Sequence, residues 1–130
     1  MSTKTPRRLV VGISGASGTI YGIRILELLK KTDIETHLVM SKSAEMTMVY
    51  ETDFKPKDVK ALATVAHPAA DIGASISSGS FATMGMIIVP CSIKTMSEIA
   101  TGVTSSLVSR AADVVLKEKR RLVLGVRETS

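Results

Sequence analysis

Apolar residues gather along this chain in short, dense runs: Leu9–Ile13, His37–Met40, Met86–Val89 and Leu122–Val126, each rich in aliphatic side chains and bounded by Gly, Ser, Pro or charge. Runs of that length with little polar alternation predict strands covered on both faces, as in a buried parallel sheet. Between them the apolar positions take helical spacing over Thr19–Lys31, Ser43–Glu51, Pro56–Ala66 with proline in its first turn, and Thr95–Ala100, resuming after Gly102 over Leu107–Lys119. The Ser/Gly/Ala-rich stretch Asp71–Ser80 predicts a loop or a weak strand. Strands alternating with helices imply right-handed βαβ crossovers. The expected fold class is therefore α/β, a doubly wound parallel sheet in one domain over residues 1–130.

Such sheets bind ligands beyond the carboxyl ends of their strands, so the residues just after each run carry the candidate chemistry. After the first run, Ser14-Gly-Ala-Ser-Gly18 leads straight into a helix whose unpaired N–H groups and positive dipole end favour an anion. Glycines at 12, 15 and 18 do not match the dinucleotide spacing, and Met40-Ser41-Lys42 closes the second run without the acid that a ribose needs. The phosphate-loop pattern fails as well, because Thr19 stands where its lysine belongs. An anion cradle and a plain tight connection both remain open. The other ends present Ser41-Lys42-Ser43, Pro90-Cys-Ser-Ile-Lys-Thr95 and Arg127-Glu128. Hydroxyls, lysines and an arginine on one rim suit a phosphorylated ligand, while Ser43 and Thr95 are also placed to cap helices.

Composition narrows the classes. A chain of 130 residues with 45% hydrophobic content supports one core and is too short for two. No stretch approaches the ~18 apolar residues of a membrane span. Lys4, Arg7 and Arg8 precede only a short apolar run, unlike a signal peptide, so a cytoplasmic location is expected. The single cysteine, Cys91, excludes an internal disulfide and a cysteine-based zinc site, and it reads as a packing residue. His37 and His67, distant in sequence, read as structural; no metal is expected. The net charge of +5 comes with 3% aromatic residues, and the one cationic cluster is Lys117–Arg121, so a small anionic ligand explains the excess as well as nucleic acid would.

Five segments in order carry a resemblance: Gly12-Ile-Ser-Gly-Ala-Ser-Gly18 with Tyr21-Gly22; Ser41-Lys42 with Glu51-Thr-Asp53; Pro90-Cys-Ser-Ile-Lys-Thr95; Arg110-Ala-Ala-Asp-Val-Val-Leu-Lys117; and Val126-Arg-Glu128. Together, from Arg8 to Thr129, they resemble the UbiX/Pad-type flavin prenyltransferases, nearest to those known as the B component of phenolic acid decarboxylase systems. The resemblance implies a flavoprotein-like fold that joins a dimethylallyl group from dimethylallyl phosphate to FMN. The prenylated FMN then serves a UbiD-type aromatic acid decarboxylase. It further implies FMN contacts from Gly15, Ala16 and Ser17, from Ser41, from Ser92, Ile93, Lys94 and Thr95, and from Arg127. By the same resemblance Ser17, Lys117 and Arg127 stabilise the departing phosphate, Glu128 lines its pocket, and Glu51 moves protons. Cations and hydroxyls can do this without a metal. On spacing alone, Glu51 and Lys117 read equally well as solvated surface charges.

The resemblance also implies a homo-oligomer with the flavin near subunit contacts. Family members continue beyond the Arg127-Glu128 segment, so the domain is expected to be shortened at its C-terminus, with Leu122–Val126 left uncovered as an association hazard. Two other readings stand beside the enzyme. One is a catalytically incomplete FMN-binding subunit or fragment of such a system. The other is an FMN-dependent decarboxylase of the same fold, a group with a Pro-x-Met-Asn motif where this chain has Pro90-Cys-Ser-Ile.

Overall fold

Strand β1 (Arg8–Ile13) sends alternate side chains to opposite faces, and both faces are buried: Val10 enters one apolar cluster, Val11 and Ile13 the other. The computed structural model describes residues 6–127. After β1 come α1 (Thr19–Leu29), β2 (Glu35–Met40), α2 (Lys42–Glu51), α3 (Pro56–Lys60), β3 (Val65–His67), a 3-10 turn at Ser75–Ser77, β4 (Gly85–Cys91), α4 (Ile93–Thr101), α5 (Leu107–Lys117) and β5 (Arg121–Val126). All strand pairs are parallel, and the five-stranded sheet runs β3-β2-β1-β4-β5. The expected α/β architecture is the one observed.

Each face has its own core. Val11, Ile13, Leu38 and Met40 pack against Ile23 and Leu26 of α1, Met48 of α2 and Val59 of α3. Val10, Val39, Met86 and Ile88 pack against Leu107, Ala111 and Val115 of α5. Helix α1 lies very close to β4, because a Cβ on Gly22 would stand 2.5 Å from the Val89 carbonyl oxygen; only glycine permits that approach. The chain winds outward from β1 through β2 to β3, then crosses to β4 on the far side of β1. The strand order therefore reverses between β1 and β4, and a crevice opens at their carboxyl ends.

Two expectations change, and a third resolves to one of its alternatives. The helix expected over Pro56–Ala66 stops at Lys60, and Val65–His67 instead joins the open edge of β2. Thr36 and Thr64 fasten this edge reciprocally, each hydroxyl accepting the other's N–H, at 2.9 and 3.0 Å. Thr64 and Val65 are β-branched, so an available ladder outweighs their weak helical preference. Helices α2 and α4 also begin earlier than expected. Their caps are Ser41, whose Oγ accepts the Ala44 N–H, and Ser92, whose Oγ accepts the Thr95 N–H, rather than Ser43 and Thr95. Finally, Asp71–Ser80 forms a loop with a 3-10 turn and no strand.

Candidate functional site

Beyond Ile13 the chain turns through Ser14–Gly18 and enters α1. Gly18 is the N-cap, with φ +102° in the left-handed region, and it brings no side chain to the open helix end. That end is met from outside by Glu51, the last residue of α2. Its Oε1 accepts the Gly18 N–H at 3.0 Å, the Thr19 N–H at 3.5 Å and the Thr19 hydroxyl at 3.4 Å, while Oε2 accepts the Ser17 hydroxyl at 2.8 Å. The anion cradle exists, and the protein's own carboxylate sits in it. Partial burial works to raise the Glu51 pKa, but the hydrogen bonds from Ser17, Gly18 and Thr19 outweigh it and hold the carboxyl below 4.5. Glu51 is thus an ionised acceptor with Ser17 as its proton-bearing neighbour.

This pair faces an open cleft of about 380 Å³ lined by Ser17, Gly18, Ile20, Tyr21, Glu51, Thr52 and Arg127. Arg127 follows β5, and its N–H donates to the Cys91 carbonyl at 3.0 Å. Its guanidinium lies 5.4 Å from the centre of the Tyr21 ring. Strand order puts these groups together: the end of β5 reaches the end of β1 across β4.

The remaining rim residues follow from the helix caps. Gly15 abuts α2, where a Cβ would come within 2.2 Å of Ser43 Oγ, and Ala16 is fully buried. Ser41 caps α2 and lies 3.2 Å from Ser43 Oγ; Ser92 caps α4 and donates to Thr95 Oγ1 at 3.0 Å, with Ile93 and Lys94 exposed beside it. None of Lys42, Lys94 and Arg127 has an ion-pair partner among the described residues. Their charge is available to an anion.

Lys117 stands apart. It ends α5, which must return to the amino side of the sheet so that β5 can start parallel to the other strands. There its Nζ pairs with Asp113 at 2.8 Å and lines a second cleft, of about 280 Å³, with Ser77, Thr104 and Arg110. Within one chain it does not meet Ser17, Glu51 or Arg127. Glu128 lies outside the described residues. Cys91 is fully buried, and burial pushes its thiol up to about 11, as suits packing rather than reactivity.

The two histidines do come together. His37 Nδ1 lies 2.9 Å from His67 Nε2, the rings stack with centroids 5.2 Å apart, and His37 Nε2 lies 2.7 Å from Glu35 Oε1. Sequence reasoning gave no role to Thr19, Thr52 or Ile20, and the resemblance named Tyr21 without a function. The one local signal was the Tyr21-Gly22 pair beside the first turn. Among the described residues no group of His, Cys, Asp and Glu is placed to hold a metal ion, and no helix is long and apolar enough to cross a membrane.

The flavoprotein family model matches residues 1–126. The chain is similar to flavin prenyltransferase UbiX of Escherichia coli K12, 64% identical over 124 residues, which is 95% of this chain and 66% of that protein. It therefore spans just under two thirds of the length of that curated relative. Its structure resembles that of AnUbiX (PadA1) in complex with FMN and dimethylallyl pyrophosphate, with a TM-score of 0.94 and 54% identity over 96% of this chain and 66% of the other. It also resembles a dodecameric FMN-dependent UbiX-like decarboxylase from Escherichia coli O157:H7, with a TM-score of 0.92 and 52% identity over 93% of this chain and 67% of the other.

Proposed function

Because the chain belongs to the flavoprotein family, among its UbiX-type flavin prenyltransferases, we propose that it acts as one flavin-binding domain that joins a dimethylallyl group from dimethylallyl phosphate to FMN. The prenylated FMN would pass to a UbiD-type aromatic acid decarboxylase. The observation that carries this reading is the convergence of Ser17, Glu51 and Arg127 on one cleft at the switch point of the sheet.

The donor set fits FMN. Gly15 and Ala16 keep the first turn close and free of bulk, Ser41 and Ser92–Thr95 offer hydroxyls and helix N–H groups, and Lys94 and Arg127 offer charge without a competing partner among the described residues. Bound there, FMN supplies the ring atoms N5 and C6 that accept the dimethylallyl carbons. Rupture of the allylic C–O bond leaves negative charge on the phosphate, which the Arg127 guanidinium stabilises, joined by the Ser17 hydroxyl when its O–H turns from Glu51 to the phosphate. Ser17 Oγ, bonded to Glu51 at 2.8 Å, then relays a proton released in the cleft to the ionised carboxylate. Glu128 belongs to the same proposal as a phosphate-pocket residue. Lys117, at the opposite end of the sheet, would serve the phosphate from a neighbouring copy in a homo-oligomer, and the dodecameric relative supports that reading. A cytoplasmic location and a metal-free reaction complete it.

The test is to incubate the purified protein with reduced FMN and dimethylallyl phosphate and to weigh the extracted flavin. A gain of one prenyl mass is expected, and the monophosphate is expected to outperform the diphosphate present in the AnUbiX complex. Bound flavin of unchanged mass would replace the enzyme with an FMN-binding subunit. Failure to take up FMN would overturn the reading altogether.

A further inference from the structure

The aligned pairs between β1 and β4 end at Gly12 and Ile88, and beyond them β4 presents Pro90, which has no N–H to donate. Ser14 takes over where the ladder stops. Only 1% exposed, it donates its backbone N–H to the Pro90 carbonyl at 3.1 Å and its Oγ–H to the same oxygen at 3.0 Å; Oγ in turn accepts the Ser92 N–H at 2.8 Å. Ser92 is the N-cap of α4, and Ser14 begins the turn that leads into α1. One buried hydroxyl therefore fastens the amino end of α1 to the amino end of α4.

We infer that Ser14 is a positioning residue of the flavin site, setting the spacing between the Gly15–Ser17 arm and the Ser92–Thr95 arm of the cradle. The inference rests on the reading that both arms hold FMN. The side chain is buried behind the rim and does not line the cleft, so it acts through its partners. Its bonding is specific. Alanine at position 14 leaves the Ser92 N–H without a partner and frees the first turn of α4 to shift, and a shift of that kind loosens a site whose contacts depend on a preset geometry.

The experiment compares wild type, Ser14→Ala, Ser14→Cys and Val59→Ala by FMN titration, thermal unfolding and hydrogen exchange at the Ser92 amide. Val59 is a fully buried residue of α3, packed in the core beneath α1 and α2 and away from both arms of the cradle, and serves as a destabilising control. Ser14→Ala is expected to weaken FMN binding on the order of tenfold and to speed exchange at Ser92. Ser14→Cys, with its weaker hydrogen bonding, should fall between, and it carries the comparison if the alanine variant fails to fold. Val59→Ala should lower the melting temperature at least as much while binding FMN like wild type. If Ser14→Ala binds FMN like wild type, or if affinity simply follows melting temperature across all variants, the inference is overturned and the flavin reading stands. If wild type takes up no FMN, the functional reading falls and takes this inference with it.

Discussion

Glu51 holds four donors with two oxygens, and this economy makes it the side chain on which a single substitution tells most. In Glu51→Gln one oxygen becomes an amide nitrogen, so the α1 cap and the Ser17 acceptor cannot both survive. Prenyl transfer is expected to fall by about 10² or more, with FMN affinity within a few-fold of wild type, as read by single-turnover flavin mass and by titration. The histidine pair bears on stability instead. Burial first, then the charge of His37, lowers the His67 pKa below 6.5 against the opposing pull of Asp71. A histidine held neutral in the fold takes up its proton more readily when unfolded. Its contribution is therefore complete above pH 6.5 and lost as pH falls below that value. The melting temperature should decline from pH 6.5 to 5 in wild type and decline less steeply in His67→Gln. Glu35 titrates in a separate window: the His37 hydrogen bond lowers its pKa despite partial burial, so its contribution is present above pH 4.5 and lost below it.

Element boundaries were legible where an apolar run, glycine or proline marks them, and were read late at α2 and α4, where Ser41 and Ser43, and Ser92 and Thr95, each offer a capping hydroxyl. Buried strands and the turn into α1 follow from apolar runs and glycine, and Pro56 opens α3 as expected. The end of α3 was not legible, because β2 offered Val65–His67 a ladder that no local spacing advertises. The end of α5 shows a related compromise. Lys119 sits at φ 57° while its N–H bonds to the Leu116 carbonyl and the Arg120 N–H bonds to that of Val115, a closure that glycine ordinarily makes. Lys119→Gly should stabilise the fold by roughly 0.5–1 kcal/mol in denaturant unfolding, since it relieves left-handed strain and leaves the packing of the core intact.

Across the molecule, β5 forms one edge of the sheet and shows water Val123 and Val126, 55% and 41% exposed. Apolar side chains on an open edge invite pairing with another chain. Val123→Lys should reduce concentration-dependent association in sedimentation while leaving the melting temperature near that of wild type. The sequence by itself determined the alternation of strand and helix, the burial of the central strands and the tight turn at Ser14–Gly18, because each is written in contiguous residues whose period or backbone freedom permits little else. Only the tertiary structure decided that Glu51 fills the cradle, that Arg127 faces Tyr21, that His37 meets His67, and that Lys117 lies at the other end of the sheet. Those relations depend on strand order and parallel register, which couple residues tens of positions apart and leave no trace in local spacing.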